Sequence, residues 1–313
     1  MCIFTDNLIF VMTIHYFKNK EIDKKRWDNL IGEAPNGRVY AYSWYLDTLL
    51  GESWDALIIG NYEYVMPLPW RCKFGVYYIY TPFFVQQLGI FSRREIPADL
   101  YIEFLKNIPV KFRYLDLGVN LESEISSKNV KITKKRTNYV LDIDRPYEDI
   151  KKEYTSVARR KLNKDKGYIL SETNDFGKVI SDYRVSIGPI VPMKDADYKR
   201  LEKLVSVAFE KGCLFTCNLE NNVGETLSSC FFLMSHGRSY YFFGSQSQIG
   251  REVQATHFLV DKFIQRFNQK IKIFDFCGSD LPGVAEFIKK WGATPEYYSN
   301  VKMARFPFNL MLK

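Results

Sequence analysis

The stretch 240–299, YYFFGSQSQIGREVQATHFLVDKFIQRFNQKIKIFDFCGSDLPGVAEFIKKWGATPEYYS, constrains the fold more than any other part of this chain. Its aromatic opening, 240–244, has the composition of a short strand. A polar loop is expected at 245–251, with Gly250 inside it. A helical period follows in Val253, Val260, Ile264 and Phe267, seconded by Ala255, Phe258, Leu259 and Phe263. Residues 271–277 read as a buried strand that ends in Gly278-Ser279-Asp280. Pro282 suits the first turn of a second helix, where a missing N–H costs nothing, and Gly292 suits its end. Strand, anion-friendly loop, helix, strand, helix is an order that presents backbone amides to a phosphorylated ligand.

The same order occurs earlier in the chain. An aromatic strand at 77–80, a loop around Gln86-Gln87-Leu88-Gly89, a helix, and a strand with Leu115-Asp116-Leu117-Gly118 form one series. The strand at 240–243, the loop at 246–250, a helix, and Phe274-Asp275-Phe276-Cys277-Gly278 form the other. Gly89 precedes Asp116 by 27 residues and Gly250 precedes Asp275 by 25, so order and spacing agree where identity is slight. The expectation is an internal repeat of domain size, divided as 1–145 and 146–313, which suits a 313-residue chain. Met12 offers an alternative start, with 1–11 as an extension.

The remaining elements are read from periodicity and punctuation. Ile22, Trp27, Leu30 and Ile31 share one face of a first helix, and Ser43 is a candidate N-cap for a second that stops at Gly51. Three strands follow, with Gly60-Asn61 as a hairpin turn. Pro67 and Pro69 place the middle strand at an edge or fray it. Residues 128–143 read as two strands joined through a basic turn. Residues 147–166 read as one helix, apolar at Ile150, Tyr154, Val157, Ala158 and Leu162 and basic on its other face.

Charge and cysteine usage narrow the function classes. The formal charge is +8, from 44 Lys and Arg against 36 Asp and Glu, which favours an anionic partner: a CoA-type phosphate, a nucleic acid or an acidic membrane surface. Six scattered cysteines match neither a zinc site nor a secreted disulfide framework, so buried free thiols in a reducing cytoplasm are expected. The N-terminal apolar run lacks a basic flank and is too short to span a bilayer.

Several runs resemble a known superfamily. FDFCGSDLPGVAEFIKKWGA, the order of elements around it, MPLP with YTPFFVQQLGIFS, and the basic R-R-K-L-x-K wording at 159–164 are similar to the FemAB-like branch of the GNAT acyltransferases. The resemblance covers most of the chain. It implies an α/β protein of two tandem GNAT-like domains, bacterial and cytoplasmic. It implies acyl or aminoacyl transfer to an amine or hydroxyl of a cell-envelope or polysaccharide precursor. The donor is an acyl-CoA such as acetyl-CoA, or an aminoacyl-tRNA, and no metal is needed. Peripheral contact with a membrane is compatible with such an acceptor.

On that pattern, Phe243, Gly244, Ser245, Gln246, Gln248, Gly250 and Arg251 form the donor site. The pyrophosphate loop of form (Gln/Arg)-x-x-Gly-x-(Gly/Ala) is not matched strictly: spacing from Gln248 is one short and from Gln246 one long, and Glu252 stands where a small residue belongs. Asp275 and Glu210 are candidate bases, and Tyr298 (or Tyr297) a candidate proton donor to the leaving group. Asp275 has a competing role as a structural cap. Tyr80, Phe83, Gln86, Arg159 and Arg160 are candidate acceptor-binding residues. Two rivals remain at this stage: a catalytically degenerate GNAT pair that binds an anionic polymer or protein, and nucleic-acid binding through the basic helix. Against the last, the aromatics follow strand patterns instead of interleaving with the basic run.

Overall fold

The structure, a computed structural model, describes residues 13–121, 130–191, 193–278 and 282–305. In chain order the elements are β1 (Ile14–Phe17), α1 (Lys24–Glu33), α2 (Ser43–Leu50), β2 (Trp54–Ile59), β3 (Tyr64–Lys73), β4 (Val76–Tyr80), β5 (Phe91–Ser92), α3 (Ala98–Lys106), β6 (Phe112–Val119) and β7 (Val130–Asp142). There follow α4 (Tyr147–Glu153), α5 (Ser156–Leu162), β8 (Ile169–Glu172), α6 (Phe176–Ser186), α7 (Asp195–Glu210), β9 (Leu214–Glu220), β10 (Thr226–Ser235) and β11 (Arg238–Gln246). The chain closes with α8 (Gln248–Val253), α9 (Ala255–Phe267), β12 (Ile273–Asp275), α10 (Pro282–Lys289) and β13 (Thr294–Ala304).

One continuous sheet carries both halves, in the order β1-β2-β3-β4-β6-β13-β7-β12-β11-β10-β9-β8, with β5 paired to β3 off this path. The repeat read from the sequence is visible in its strand directions. Among the described residues the ladders are antiparallel except β4 with β6 and β11 with β12. Each parallel pair needs a crossover, and α3 in the first half and α8–α9 in the second supply it. The registers coincide too: Tyr80 faces Asp116, and Tyr240 faces Asp275.

The halves exchange their last strands. β7 leaves the first half to pair with β12, and β13 returns from the end of the chain to pair with β6. β7 and β13 then pair with each other over most of their length, sealing the sheet. The two strands expected at 128–143 are therefore one strand, β7. The K-K-R run holds no turn residue, and β-branched neighbours keep it extended. Part of its charge is met across the ladder, where the Lys135 ammonium lies 4.0 Å from the Tyr297 ring centre.

Apolar burial follows the expected faces. Trp27, Leu30 and Ile31 of α1 are fully buried, and Asp23 caps that helix by accepting from the Lys25 and Arg26 N–H groups. Ser43 is not the N-cap of α2: its own N–H and hydroxyl donate to Asp28, at 2.6 and 2.7 Å, which fastens α2 to α1. Pro67 and Pro69 lie where β3 has β2 on one side and has not yet met β4, which pairs from Trp70 onward. Their missing N–H groups fall on the locally open edge, as expected. A second core forms where α9 buries Phe258, Leu259, Phe263 and Ile264 on the β9–β12 sheet. Burial of each such side chain stabilises by about 1.5–3 kcal/mol.

Two helical expectations change at capping residues. The helix expected across 147–166 breaks into α4 and α5 at Tyr154-Thr155. The Thr155 hydroxyl accepts from the Ala158 N–H, and the Thr155 N–H donates to the Lys290 carbonyl at 2.9 Å. The loop expected at 245–251 is the end of β11 followed by α8, because Ser247 caps a helix by accepting from the Gly250 N–H at 3.0 Å. Gln254, left-handed at φ 57°, separates α8 from α9.

Cys217 and Cys230 are buried and Cys213 and Cys277 half-buried, all as free thiols; Cys72 is free but exposed, unlike the buried position expected. Cys2, the Met12 start, and Ser279 and Asp280 lie outside the described residues. No helix among the described residues is long and apolar enough to cross a membrane.

Candidate active site: two cavities and a buried ion network

Each parallel pair opens into a cavity at its C-terminal end. In the first half, a cavity of about 550 Å³ is lined by Tyr78 and Tyr80 of β4, Gln86 of the following loop, Tyr114 and Asp116 of β6, Arg136 of β7, and Tyr298 and Asn300 of β13. Asp116 is the one carboxylate lining it among the described residues. It accepts from the Tyr114 hydroxyl at 3.2 Å and from the Asn300 amide at 2.7 Å, and pairs with Lys302 at 3.1 Å. Burial, then the Asp116 charge, raises the Tyr114 hydroxyl above its usual range, so Tyr114 stays a protonated donor at neutral pH. Asp116 is about one-third exposed, at 34 %, so a ligand in the cavity has access to it.

In the second half, a cavity of about 430 Å³ lies between β11, α8–α9 and α10. Tyr241, Phe276, Val284, Phe287 and Ile288 give it apolar walls, and Ser245, Gln246, Arg251, Gln254 and His257 give it polar ones. Among the described residues its lining contains no carboxylate. Burial holds the His257 imidazole down to about 4, and the Lys161 and Lys290 charges push the same way, so His257 is neutral at physiological pH. Those lysines, with Arg251, make the surroundings cationic. The Ser245 hydroxyl and the Gln246 side-chain carbonyl are buried there with no hydrogen-bond partner. Unmet buried polar atoms are costly, and a ligand carrying N–H or O–H groups would satisfy them. A pantetheine arm has amides of that kind and its diphosphate suits the cations, so the residues fit a CoA-type donor; an aminoacyl-ribose fits by the same chemistry.

Between the cavities lies a buried network. The Arg238 guanidinium donates to Asp275 at 2.6 Å and to both oxygens of Glu296, at 3.0 and 2.8 Å. Asn138 donates to Glu296 at 3.2 Å and accepts from Gln86 at 3.0 Å. Although burial alone would raise it, hydrogen bonding to Arg238 and the charges of Arg238 and Arg38 hold the Glu296 carboxyl below its usual range. Phe276 lines the second-half cavity, whereas two residues later Gly278 lies so close to Gln86 that an added Cβ would stand 2.8 Å from the Gln86 amide nitrogen. The end of β12 therefore separates the two cavities. Cys277 is strained there, left-handed at φ 58°, and Gly278 at φ 76° takes a conformation that glycine alone adopts freely.

The expected site residues divide between these places. Gly244, Ser245, Gln246 and Arg251 line the second-half cavity. Gln248 begins α8 and is exposed, and Phe243 packs on Tyr183 at 4.0 Å between ring centres. Gly250 is needed for packing: a Cβ would stand 1.8 Å from the Leu227 carbonyl oxygen, so α8 sits on β10 only with glycine there. Tyr80, Gln86 and Tyr298 line the first-half cavity together, while Phe83 lies at a smaller pocket beyond Tyr80. Asp275 is 1 % exposed, is held by Arg238 and accepts from the Cys277 N–H at 2.7 Å. Glu210 is exposed at the end of α7, and Arg159 and Arg160 are exposed on α5, which packs on α9 away from the first-half cavity.

Sequence reasoning missed Asp116, Tyr114, Arg136 and Asn300 in the first cavity and His257 in the second. Asp116 carried a signal, since the repeat set it opposite Asp275. Asn300 carried none, because only the strand exchange brings it to β6.

Two halves of one thirteen-stranded sheet, each with a parallel pair and joined through exchanged strands, have the arrangement of a tandem GNAT-like fold, as solved structures of similar fold bear out. The crystal structure of FemX matches it with a TM-score of 0.67 at 13 % identity, covering 92 % of this chain and 97 % of that one. The C-terminal domain of a lysylphosphatidylglycerol synthetase from Agrobacterium fabrum matches at 0.57 and 8 %, over 93 % and 94 %. A tandem GNAT protein from the clavulanic acid biosynthesis pathway matches at 0.52 and 11 %, over 93 % and 98 %. No protein-family model matches the sequence, and the search among curated proteins returns no match. Among the described residues no cluster of His, Cys, Asp and Glu is arranged to hold a metal ion.

Proposed function

We propose that this protein transfers an acyl or aminoacyl group from a phosphate-bearing donor in the second-half cavity to an amine or hydroxyl acceptor in the first-half cavity. The observation that carries the reading is the electrostatic contrast between two cavities built from one repeat. One is lined by Arg251, with Lys161 and Lys290 near its His257, and has unmet polar atoms for a donor; the other is lined by Arg136 and also holds a carboxylate, Asp116, within reach of an acceptor's proton. In this reading Arg251, Lys161 and Lys290 attract the donor phosphates, and Ser245 and Gln246 bind its N–H or O–H groups. The acyl carbonyl is carried past the end of β12 toward Gln86.

The acceptor nitrogen or oxygen then forms a bond to the carbonyl carbon. Asp116, directly or through a water, takes the proton it gives up. The tetrahedral intermediate collapses by breaking the bond to the donor's sulfur or oxygen, with Tyr298 supplying the leaving group's proton. Four tyrosines, Arg136 and Asn300 give the acceptor cavity the donors and flat apolar faces that suit a sugar-bearing or amide-bearing envelope precursor. The names FemX and lysylphosphatidylglycerol synthetase, among proteins of this fold, are in keeping with an envelope acceptor.

The test is a transfer assay with acetyl-CoA and minimal aminoacyl-RNA donors against a panel of amine-bearing envelope precursors. Asp116→Asn is expected to lower kcat by about 10²–10⁴-fold, the usual worth of a positioned base, with donor affinity unchanged. Transfer that survives this substitution at wild-type rate sinks the assignment. A protein that binds an envelope polymer but transfers nothing from any donor is instead a degenerate binding module.

A further inference from the structure

We propose that the mouth of the second-half cavity is a docking face for an anionic lipid bilayer. Exposed aliphatic side chains stand on the elements that border this opening. Val185 is 74 % exposed at the end of α6 and Ile190 78 % exposed one turn further on, with the cavity-lining Ile187 between them. The Ile190 N–H donates to the Ile187 carbonyl at 2.8 Å, which holds Ile190 beside the opening. Ile249 stands two residues before the cavity-lining Arg251, and Val284 lines the cavity while 43 % exposed.

Cations lie near the same cavity. Arg251 lines the opening, Lys161 and Lys290 lie close enough to His257 to depress its protonation, and Lys164 in turn acts on Lys161. Against these four cations, Glu252 and Glu286 are the acidic residues of α8 and α10. Clustered exposed aliphatics mark an interaction surface, and aliphatics interspersed with Lys and Arg are the pattern of interfacial membrane binding. Each basic residue near an anionic surface adds a favourable increment, and the aliphatics add burial in the headgroup region. Nucleic acid would use the cations but gains little from aliphatic side chains, since single strands are held by stacking on aromatic rings. Docking engages the cations that the transfer reading gives to the donor, so a bilayer and a donor compete for this mouth; a protein without activity would dock in the same way.

The test is co-sedimentation of the full chain with vesicles of phosphatidylcholine alone, and with roughly one third phosphatidylglycerol added. Binding is expected to be at least about tenfold stronger to the anionic vesicles and to fall at high salt. The paired substitution Ile190→Glu with Val284→Glu, at exposed positions, is expected to weaken it about tenfold or more without changing the thermal midpoint. Lys161→Glu is expected to weaken binding to the anionic vesicles alone. Phe74→Ser removes a 93 % exposed aromatic at the β3–β4 turn and is expected to change nothing. Equal binding to both vesicle types, or wild-type binding by the Ile190/Val284 variant, overturns the proposal, as does loss confined to Phe74→Ser. Transfer RNA binding that depends on Lys161 and not on Ile190 or Val284, with no vesicle binding, would make the face a nucleic-acid site.

Discussion

Asp275→Ala separates a structural carboxylate from a catalytic one. The Arg238 and Asp275 side chains are 8 % and 1 % exposed, and their 2.6 Å contact is withdrawn from solvent. Removing one partner from such a pair leaves a buried charge and costs about 3–5 kcal/mol. Arg238 would keep two hydrogen bonds to Glu296, at 2.8 and 3.0 Å, which places the loss at the lower end. The Cys277 N–H would also lose its acceptor at 2.7 Å, adding about 1 kcal/mol. The sum is about 3–4 kcal/mol. With an unfolding entropy of about 2.1 cal/mol/K per residue, the thermal midpoint falls by roughly 5 °C if the chain unfolds as one unit. It falls by roughly 10 °C if each half unfolds separately. Thermal scans and urea titrations at neutral pH read this, with donor titration on the folded variant alongside. A midpoint within about 2 °C of wild type, together with lost transfer, would refute the structural role and return Asp275 to the candidate bases.

Further outcomes follow from the same geometry. Gly250→Ala is expected to destabilise by about 2 kcal/mol or more, read by urea denaturation, because its Cβ would overlap the Leu227 carbonyl. Glu296 has a folded pKa below its unfolded one, so its contribution is present above the unfolded value and is lost as pH falls through the folded one. Glu296→Gln is expected to lower stability at neutral pH and flatten the acid limb of the stability–pH curve. His257 has a folded pKa of about 4, below its unfolded value, so it opposes folding increasingly as pH falls from the unfolded pKa toward 4. His257→Gln is expected to remove about 2 kcal/mol of that acid-side slope, measured by thermal scans across the same window. Gly278→Ala places a side chain at φ 76° and against Gln86, and is expected to impair transfer more than donor binding.

Much of the fold was legible because its signals are local. Periodicity at 24–33 and 255–267, glycines at turns, and the matching spacing of the two βαβ units each depend on neighbours within about thirty residues. The strand exchange was not legible, since nothing in 130–142 says whether its partner is β6 or β12. That choice depends on β13, more than 150 residues away. The site divides in the same way. Ser245, Gln246 and Arg251 follow the strand-to-helix corner, and their place at one cavity could be read from it. Asp275 attracted notice for its place at a strand end, but its role is set by Arg238 on the adjacent strand. Asp116 occupies the equivalent place with an open cavity in front of it. Two halves of one repeat thus set the same position in opposite surroundings, one buried against an arginine and one facing a cavity.

The most direct test of the two-cavity account is calorimetric titration of acetyl-CoA and of a minimal aminoacyl-RNA into three proteins: wild type, Arg251→Glu with Lys161→Glu, and Asp116→Asn. The account predicts that at least one donor binds wild type, weakens about tenfold or more in the double variant and on raising salt, and binds Asp116→Asn as it binds wild type. Donor affinity that ignores Arg251 and Lys161 but is lost with Asp116→Asn would contradict it and put the donor in the first-half cavity.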